Sequence, residues 1–162
     1  MIIITIERDR IFMRTWYRDF IFHPIQASIA WAVNLFFSLL PLDWASNLGG
    51  WVGRKLGPQL KVTENAKRAL ATVFPTLSSE GINEVIDAMW DNLGRTIGEH
   101  PHLAKFDPYQ KNSRVEVVGV EILDQARDDN EPGIAFSGHL ANWELVPLAS
   151  TKRGLPLHLV YR

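Results

Sequence analysis

The sequence of 162 residues contains no cysteine. That excludes thiolate catalysis, disulfide bridges and cysteine-held zinc or iron–sulfur clusters, and it fits a reducing, cytoplasm-facing environment. Charge of one sign is also missing: 17 Lys and Arg against 18 Asp and Glu leave a formal charge of −1. Nucleic-acid binding, which needs a clustered basic face, therefore has no electrostatic support. Internal repeats and low-complexity stretches are absent. A cleaved secretory leader is not expected, because its positive charge would precede its apolar stretch. Here Met1, Ile2, Ile3 and Ile4 come first, and Arg8, Arg10, Arg14 and Arg18 follow. What remains is globular composition, 46% hydrophobic and 22% charged, on a length suited to roughly one domain.

The apolar residues are unevenly spread. Residues 20–40, FIFHPIQASIAWAVNLFFSLL, hold no Asp, Glu, Lys or Arg. The run is about as long as a helix needs to cross a bilayer core. Pro24 falls near its start, where a missing N–H costs nothing, and Trp16, Tyr17 and Trp44 flank it like interfacial aromatic anchors. A buried core helix or a segment lying in the membrane surface would read the same way. Arginines crowd one flank, while Arg54, Lys55 and Lys61 lie beyond the other, so the charge balance gives no orientation.

Helical spacing continues through Trp44, Leu48, Trp51, Val52 and Leu56, ended by Gly57-Pro58. Residues 63–73 read as a helix with Thr63 as its cap. A third helix, capped by Ser78 or Ser79, carries the stripe Ile82, Val85, Ile86, Met89, Trp90, Leu93 and Ile97 up to Pro101. From about residue 114 the pattern predicts a strand at 114–118, a short helix at 120–126 and a turn at 128–133. It then predicts a buried strand at 134–137, a helix at 142–152 and a strand at 156–161. Strand, helix, strand, helix, strand is the rhythm of a parallel sheet with crossovers, so the expected class is α/β. Residues 1–60 are expected to form an N-terminal membrane-associated helical segment, and 61–162 the first part of an α/β domain. So short a sheet is incomplete, which predicts either the N-terminal part of a longer protein or a partner that finishes the sheet.

The chemistry points to Ser137-Gly138-His139-Leu140-Ala141-Asn142-Trp143-Glu144, where the second expected strand gives way to a helix. Ligands bind at such strand ends in open α/β sheets. Gly138 permits a sharp turn, His139 is a general base near neutral pH, and a carboxylate would fix its tautomer. On a continuous helix, residues five apart are about 140° apart around the axis, so His139 and Glu144 converge only if His139 precedes the helix. Asn142 as cap would place Glu144 in the first turn. The simpler reading is a capped helix start with an incidental histidine. A hydrolase elbow needs glycines where Ala135 and His139 stand, and a zinc-binding His-Glu-x-x-His is absent.

SGHLANWELVPLA followed by GLPLHLVYR resembles the bacterial lipid A biosynthesis acyltransferases, the lauroyl and myristoyl transferases, within the wider lysophospholipid acyltransferase superfamily. The superfamily signature, His then four residues then an acid, falls on His139 and Glu144. Other agreeing stretches are the N-terminal apolar segment, Asn65-Ala66-Lys67-Arg68-Ala69-Leu70 leading to Phe74-Pro75, Asp91-Asn92-Leu93-Gly94-Arg95 with Glu99, and Val115-Glu116-Val117-Val118-Gly119. The resemblance implies transfer of a fatty acyl group from an acyl-carrier-protein to a hydroxyl of a lipid A precursor. It makes His139 the general base and Glu144 its orienting partner, with no cofactor and no metal. Gly138, Asn142, Trp143 and Arg162 would bind substrate, Arg162 by holding an acidic group. It implies a bacterial inner membrane location with the catalytic part facing the cytoplasm, and family members about twice this length.

The remaining polar residues read more simply. His100 and His102 flank Pro101 as capping, solvent-exposed groups, Glu99 pairs locally, and His158 is a packing or edge residue. Three alternatives stand beside the implied activity: a catalytically silent, membrane-anchored fragment that binds lipid, an acyltransferase acting on another lipid such as a lysophospholipid, and a soluble α/β protein whose apolar run is core.

Overall fold

The computed structural model of the chain describes residues 18–129 and 131–160. Expectations placed on Trp16, Tyr17 and Arg162 lie outside the described residues. The chain falls into two compact units, Met1–Leu39 and Leu40–Arg162.

In the first unit a π-helical turn, Arg18–Phe22, runs into helix α1, His23–Ser38, with Pro24 in its first turn. Asp19–Ser38 is a stretch of 20 residues with mean hydropathy 1.4, long and apolar enough to cross a membrane. Its polar groups are turned back on the chain itself. Ser28 Oγ donates to the Pro24 carbonyl at 2.8 Å, and Ser38 Oγ to that of Leu35 at 2.7 Å. Such back-bonding lowers the cost of a hydroxyl in apolar surroundings. Ile25, Ile29 and Trp31 stand exposed along the same helix.

The second unit is built on α2 (Leu42–Leu56) and α4 (Ser79–Glu99), with α3 (Thr63–Val73) between them in sequence. Later come α5 (Val120–Asp128) and α6 (Leu145–Lys152). Glycine explains how closely α2 and α4 approach. A methyl built on Gly49 would sit 2.2 Å from the Gly94 carbonyl oxygen, and one on Gly98 would sit 2.3 Å from that of Ala45. Backbone thus lies on backbone, which only residues without a side chain permit. A polar strap borders this seam: Arg95 donates to Asp91 at 2.8 Å and to Asn47 Oδ1 at 2.8 Å, and Arg54 also pairs with Asp91.

Ser78 caps α4 as expected, its hydroxyl accepting from Gly81 N–H at 3.1 Å. Thr63 does not cap α3. It lies inside the helix, 1% exposed, where its Oγ1 donates to the Gly57 carbonyl at 2.7 Å and accepts from Trp90 Nε1 at 3.0 Å.

The expected α/β class is overturned, and with it the incomplete sheet: among the described residues the secondary structure is helical, with no strand. The three segments read as strands at 114–118, 134–137 and 156–161 form no ladder where they are described. The physical reason is that a strand, unlike a helix, is completed only by a neighbour's backbone. Apolar residues of these segments stand in solvent, Val118 87%, Ile134 84%, Phe136 93% and Val160 98% exposed. Their β-branched and apolar character reported suitability for a pleated surface rather than the presence of one.

α5 and α6 are joined by a charged cluster. Arg153 places Nε and Nη2 on Asp124, both at 2.7 Å, while Arg127 donates to Asp124 at 2.8 Å and to the Arg153 carbonyl at 2.9 Å. Tyr109 donates its hydroxyl to the Ala149 carbonyl at 2.9 Å, with the Arg153 guanidinium 5.3 Å from its ring centre. The hydrogen bonds from Arg153 hold the Asp124 carboxyl below the usual carboxylate range. This cluster fixes the far end of α6, and its near end carries the candidate site.

Candidate functional site

Residues 138–144 leave an extended segment and enter α6. The Leu140 N–H donates to the Gly138 carbonyl at 2.8 Å, so His139 is the middle residue of a three-residue turn and its side chain is exposed. Ala141 follows with φ of 48°, a left-handed conformation that a residue with a Cβ rarely adopts. The Asn142 and Trp143 carbonyls then accept from Leu145 and Val146 N–H at 3.1 and 3.2 Å, which starts the helix.

The histidine therefore precedes the helix, as convergence with Glu144 requires, but the helix begins later than the pattern suggests. α6 starts at Leu145, and Glu144, not Asn142, occupies the cap position without a capping side-chain bond. The Asn142 amide is engaged elsewhere: Nδ2 donates to Glu99 Oε2 at 2.7 Å.

Trp143 lies between the two expected catalytic groups. Its ring meets the His139 ring edge-on, centroids 4.8 Å apart at 72°, and its Nε1–H donates to Glu144 Oε1 at 2.9 Å. His139 and Glu144 are thus gathered against one indole, with no hydrogen bond between them. The loop offers an accessible imidazole, a half-buried carboxylate one side chain away and backbone N–H groups at a helix start. These are the elements of base-assisted attack on a carbonyl. Gly138 is exposed, in open space apart from Leu140, where a substrate can approach the backbone. No group of three or more His, Asp or Glu side chains suited to a metal ion occurs among the described residues.

α4 holds the loop from beneath. Asn92 Nδ2 donates to the Ala141 carbonyl at 3.2 Å, Thr96 Oγ1 shares its one proton between the Asn92 carbonyl at 3.0 Å and that of Ala141 at 3.4 Å, and Glu99 takes Asn142. Asn92, Thr96 and Glu99 recur at i, i+4 and i+7, one face of a helix. Sequence reasoning missed Thr96 and this shared purpose; polar residues at helical spacing along one flank of the apolar stripe were the available signal. Glu99 does pair, but with residues far away in sequence. His102 departs from its simpler reading: it is 2% exposed, with Nδ1 3.2 Å from Lys105 Nζ. His158 is exposed.

The family model described as bacterial lipid A biosynthesis acyltransferase matches residues 20–162. No curated protein and no solved structure matches the chain.

Proposed function

The chain belongs to the bacterial lipid A biosynthesis acyltransferase family, and from that premise we propose that His139 and Glu144 catalyse transfer of a fatty acyl group from an acyl-carrier-protein thioester to a hydroxyl of a lipid A precursor. His139 takes the hydroxyl proton as the oxygen attacks the thioester carbonyl. The tetrahedral intermediate collapses by expelling the carrier's thiolate, which recovers the proton from the imidazolium and leaves as thiol. Glu144 orients the imidazole and stabilises its charged form. The thioester is already activated, so no covalent acyl-enzyme and no cofactor are required. Backbone N–H groups near Gly138 and ahead of α6 are the candidates for the developing oxyanion.

One observation carries this reading: the exposed His139 at the apex of a turn, packed on the same Trp143 that holds the Glu144 carboxylate. Trp143 and Asn142 would line the acyl site, and Arg162 would hold a phosphate or other acidic group. The long apolar helix supports placement in the bacterial inner membrane, with the loop toward the cytoplasm where the acyl carrier resides.

The test is acyl transfer from labelled acyl-carrier-protein to lipid A precursor in membranes holding the wild-type chain, His139→Ala or Glu144→Gln. Loss of transfer in both variants with membrane attachment retained is the expected result. Wild-type transfer unaffected by His139→Ala would overturn the mechanism. A second reading is favoured by the lack of a hydrogen bond between His139 and Glu144 where the indole takes Oε1: a membrane-anchored, catalytically silent lipid-binding chain. It predicts lipid binding with no transfer by wild type. Transfer to a lysophospholipid in preference to the lipid A precursor would reassign the acceptor.

A further inference from the structure

Glu99 closes α4 half-buried, with both carboxylate oxygens engaged: Oε1 accepts from the Ser46 hydroxyl and Oε2 from the Asn142 amide, each at 2.7 Å. We propose that Glu99 is a positioning residue for the loop that carries His139, an inference that rests on the acyl-transfer reading above.

The two bonds have different neighbours. Ser46 follows Ala45, whose carbonyl lies so close to Gly98 that no side chain fits between them. One oxygen of Glu99 is therefore held beside one of the close backbone contacts between α2 and α4. The other reaches the middle of the loop. Asn142 Oδ1 is buried without a hydrogen-bond partner, which shows what the amide is arranged to satisfy. Turning the amide over would satisfy neither end, because carbonyl oxygen would then face carboxylate oxygen. The carboxylate thus dictates the orientation of Asn142. Just before it, the left-handed Ala141 has its carbonyl held by Asn92 and, through a shared proton, by Thr96. A backbone in this conformation persists only where its surroundings over-determine it. Glu99 is the charged member of that set, and Arg95, which also donates to Ser46 at 3.3 Å, extends the network along α4. No atom of Glu99 needs to touch substrate. Its work is to hold His139 and Trp143 where acyl donor and acceptor meet.

The test uses the full chain in lipid nanodiscs. Glu99→Ala should lower kcat about 10- to 100-fold with KM for the acyl donor within about twofold, the size of effect that a small misplacement of reacting groups produces. Glu99→Gln should lose less, because its oxygen still accepts from Ser46 and its amide donates to the Asn142 carbonyl once that group turns over. Asn142→Asp sets two carboxylates together and should fall as far as Glu99→Ala. The double variant E99Q/N142D exchanges amide and carboxylate and should recover at least about tenfold over N142D. Wild-type kcat in Glu99→Ala, or no recovery in the double variant, overturns the proposal. Amide hydrogen exchange across residues 139–144 gives a readout independent of acyl transfer. It should quicken in E99A and N142D while the α2–α4 amides stay protected. Absence of transfer by wild type would refute the acyl-transfer reading alone, and unchanged exchange at 139–144 in E99A would then refute the role of Glu99.

Discussion

The Trp143 indole N–H donates to Glu144 Oε1 over 2.9 Å, so the residue that packs on His139 also restrains the carboxylate expected to serve it. Glu144 meets the imidazole either through its second oxygen, Oε2, or through Oε1 once that indole bond opens. A neutral donor to a carboxylate contributes about 1.5–3 kcal/mol net at most, which binding of substrate can offset.

Trp143→Phe should therefore separate the two effects. The ring still packs against His139 but no longer detains Glu144, and kcat should change less than about fivefold. Trp143→Ala removes the packing as well and should cost about 10- to 100-fold. Steady-state acyl transfer by the two variants checks this, and equal losses would count against the restraint.

The buried Thr63 hydroxyl joins three segments by donating to Gly57 and accepting from Trp90. Thr63→Val keeps the shape and strands both partners, so it should destabilise the chain by about 1–3 kcal/mol. Thr63→Ser retains both bonds and should lose less. Thermal unfolding in detergent, followed by tryptophan fluorescence, compares them.

Gly94→Ala should cost about 1–3 kcal/mol or more through overpacking, because its methyl would stand 2.1 Å from the Gly49 carbonyl oxygen and the seam has no flexible side chain to yield. Gly133→Ala, where nothing lies within 4 Å of the added methyl, should leave the melting temperature nearly unchanged.

Acid should loosen the α5–α6 cluster. The Arg153 hydrogen bonds lower the Asp124 pKa in the folded chain. Its contribution is therefore complete above the unfolded pKa of about 3.9 and is lost as pH falls through the lower folded value. Asp124→Asn should flatten the fall in stability below about pH 4 while changing little of its slope near neutrality. Exchange of α6 amides between pH 2 and pH 7 measures it.

Helices were legible in the sequence because their hydrogen bonds are local. The 63–73 periodicity gives α3 end to end, and Ser78 marks the start of α4 through its own hydroxyl. The strands expected near Val115, Ile134 and Leu157 depended on partners that no local pattern reports. At the candidate site, Gly138 and His139 were readable as a turn ahead of a helix. The start of α6 was misplaced because Asn142, a good cap by residue type, is drawn away by Glu99 from 43 positions earlier in the chain. The partners of Glu99 were beyond reach for the same reason: Ser46 and Asn142 meet it only in three dimensions.

The glycine contacts between α2 and α4 also limit how the pair can move. Sliding either helix by one residue would bring Leu93 or Arg95 where Gly94 now admits a carbonyl, so the two helices have a single register. A push delivered near Ser46 cannot dissipate as slippage. It reaches Glu99 as the turning of one stiff lever, whose far arm ends at the Asn142 amide in the loop that bears the imidazole.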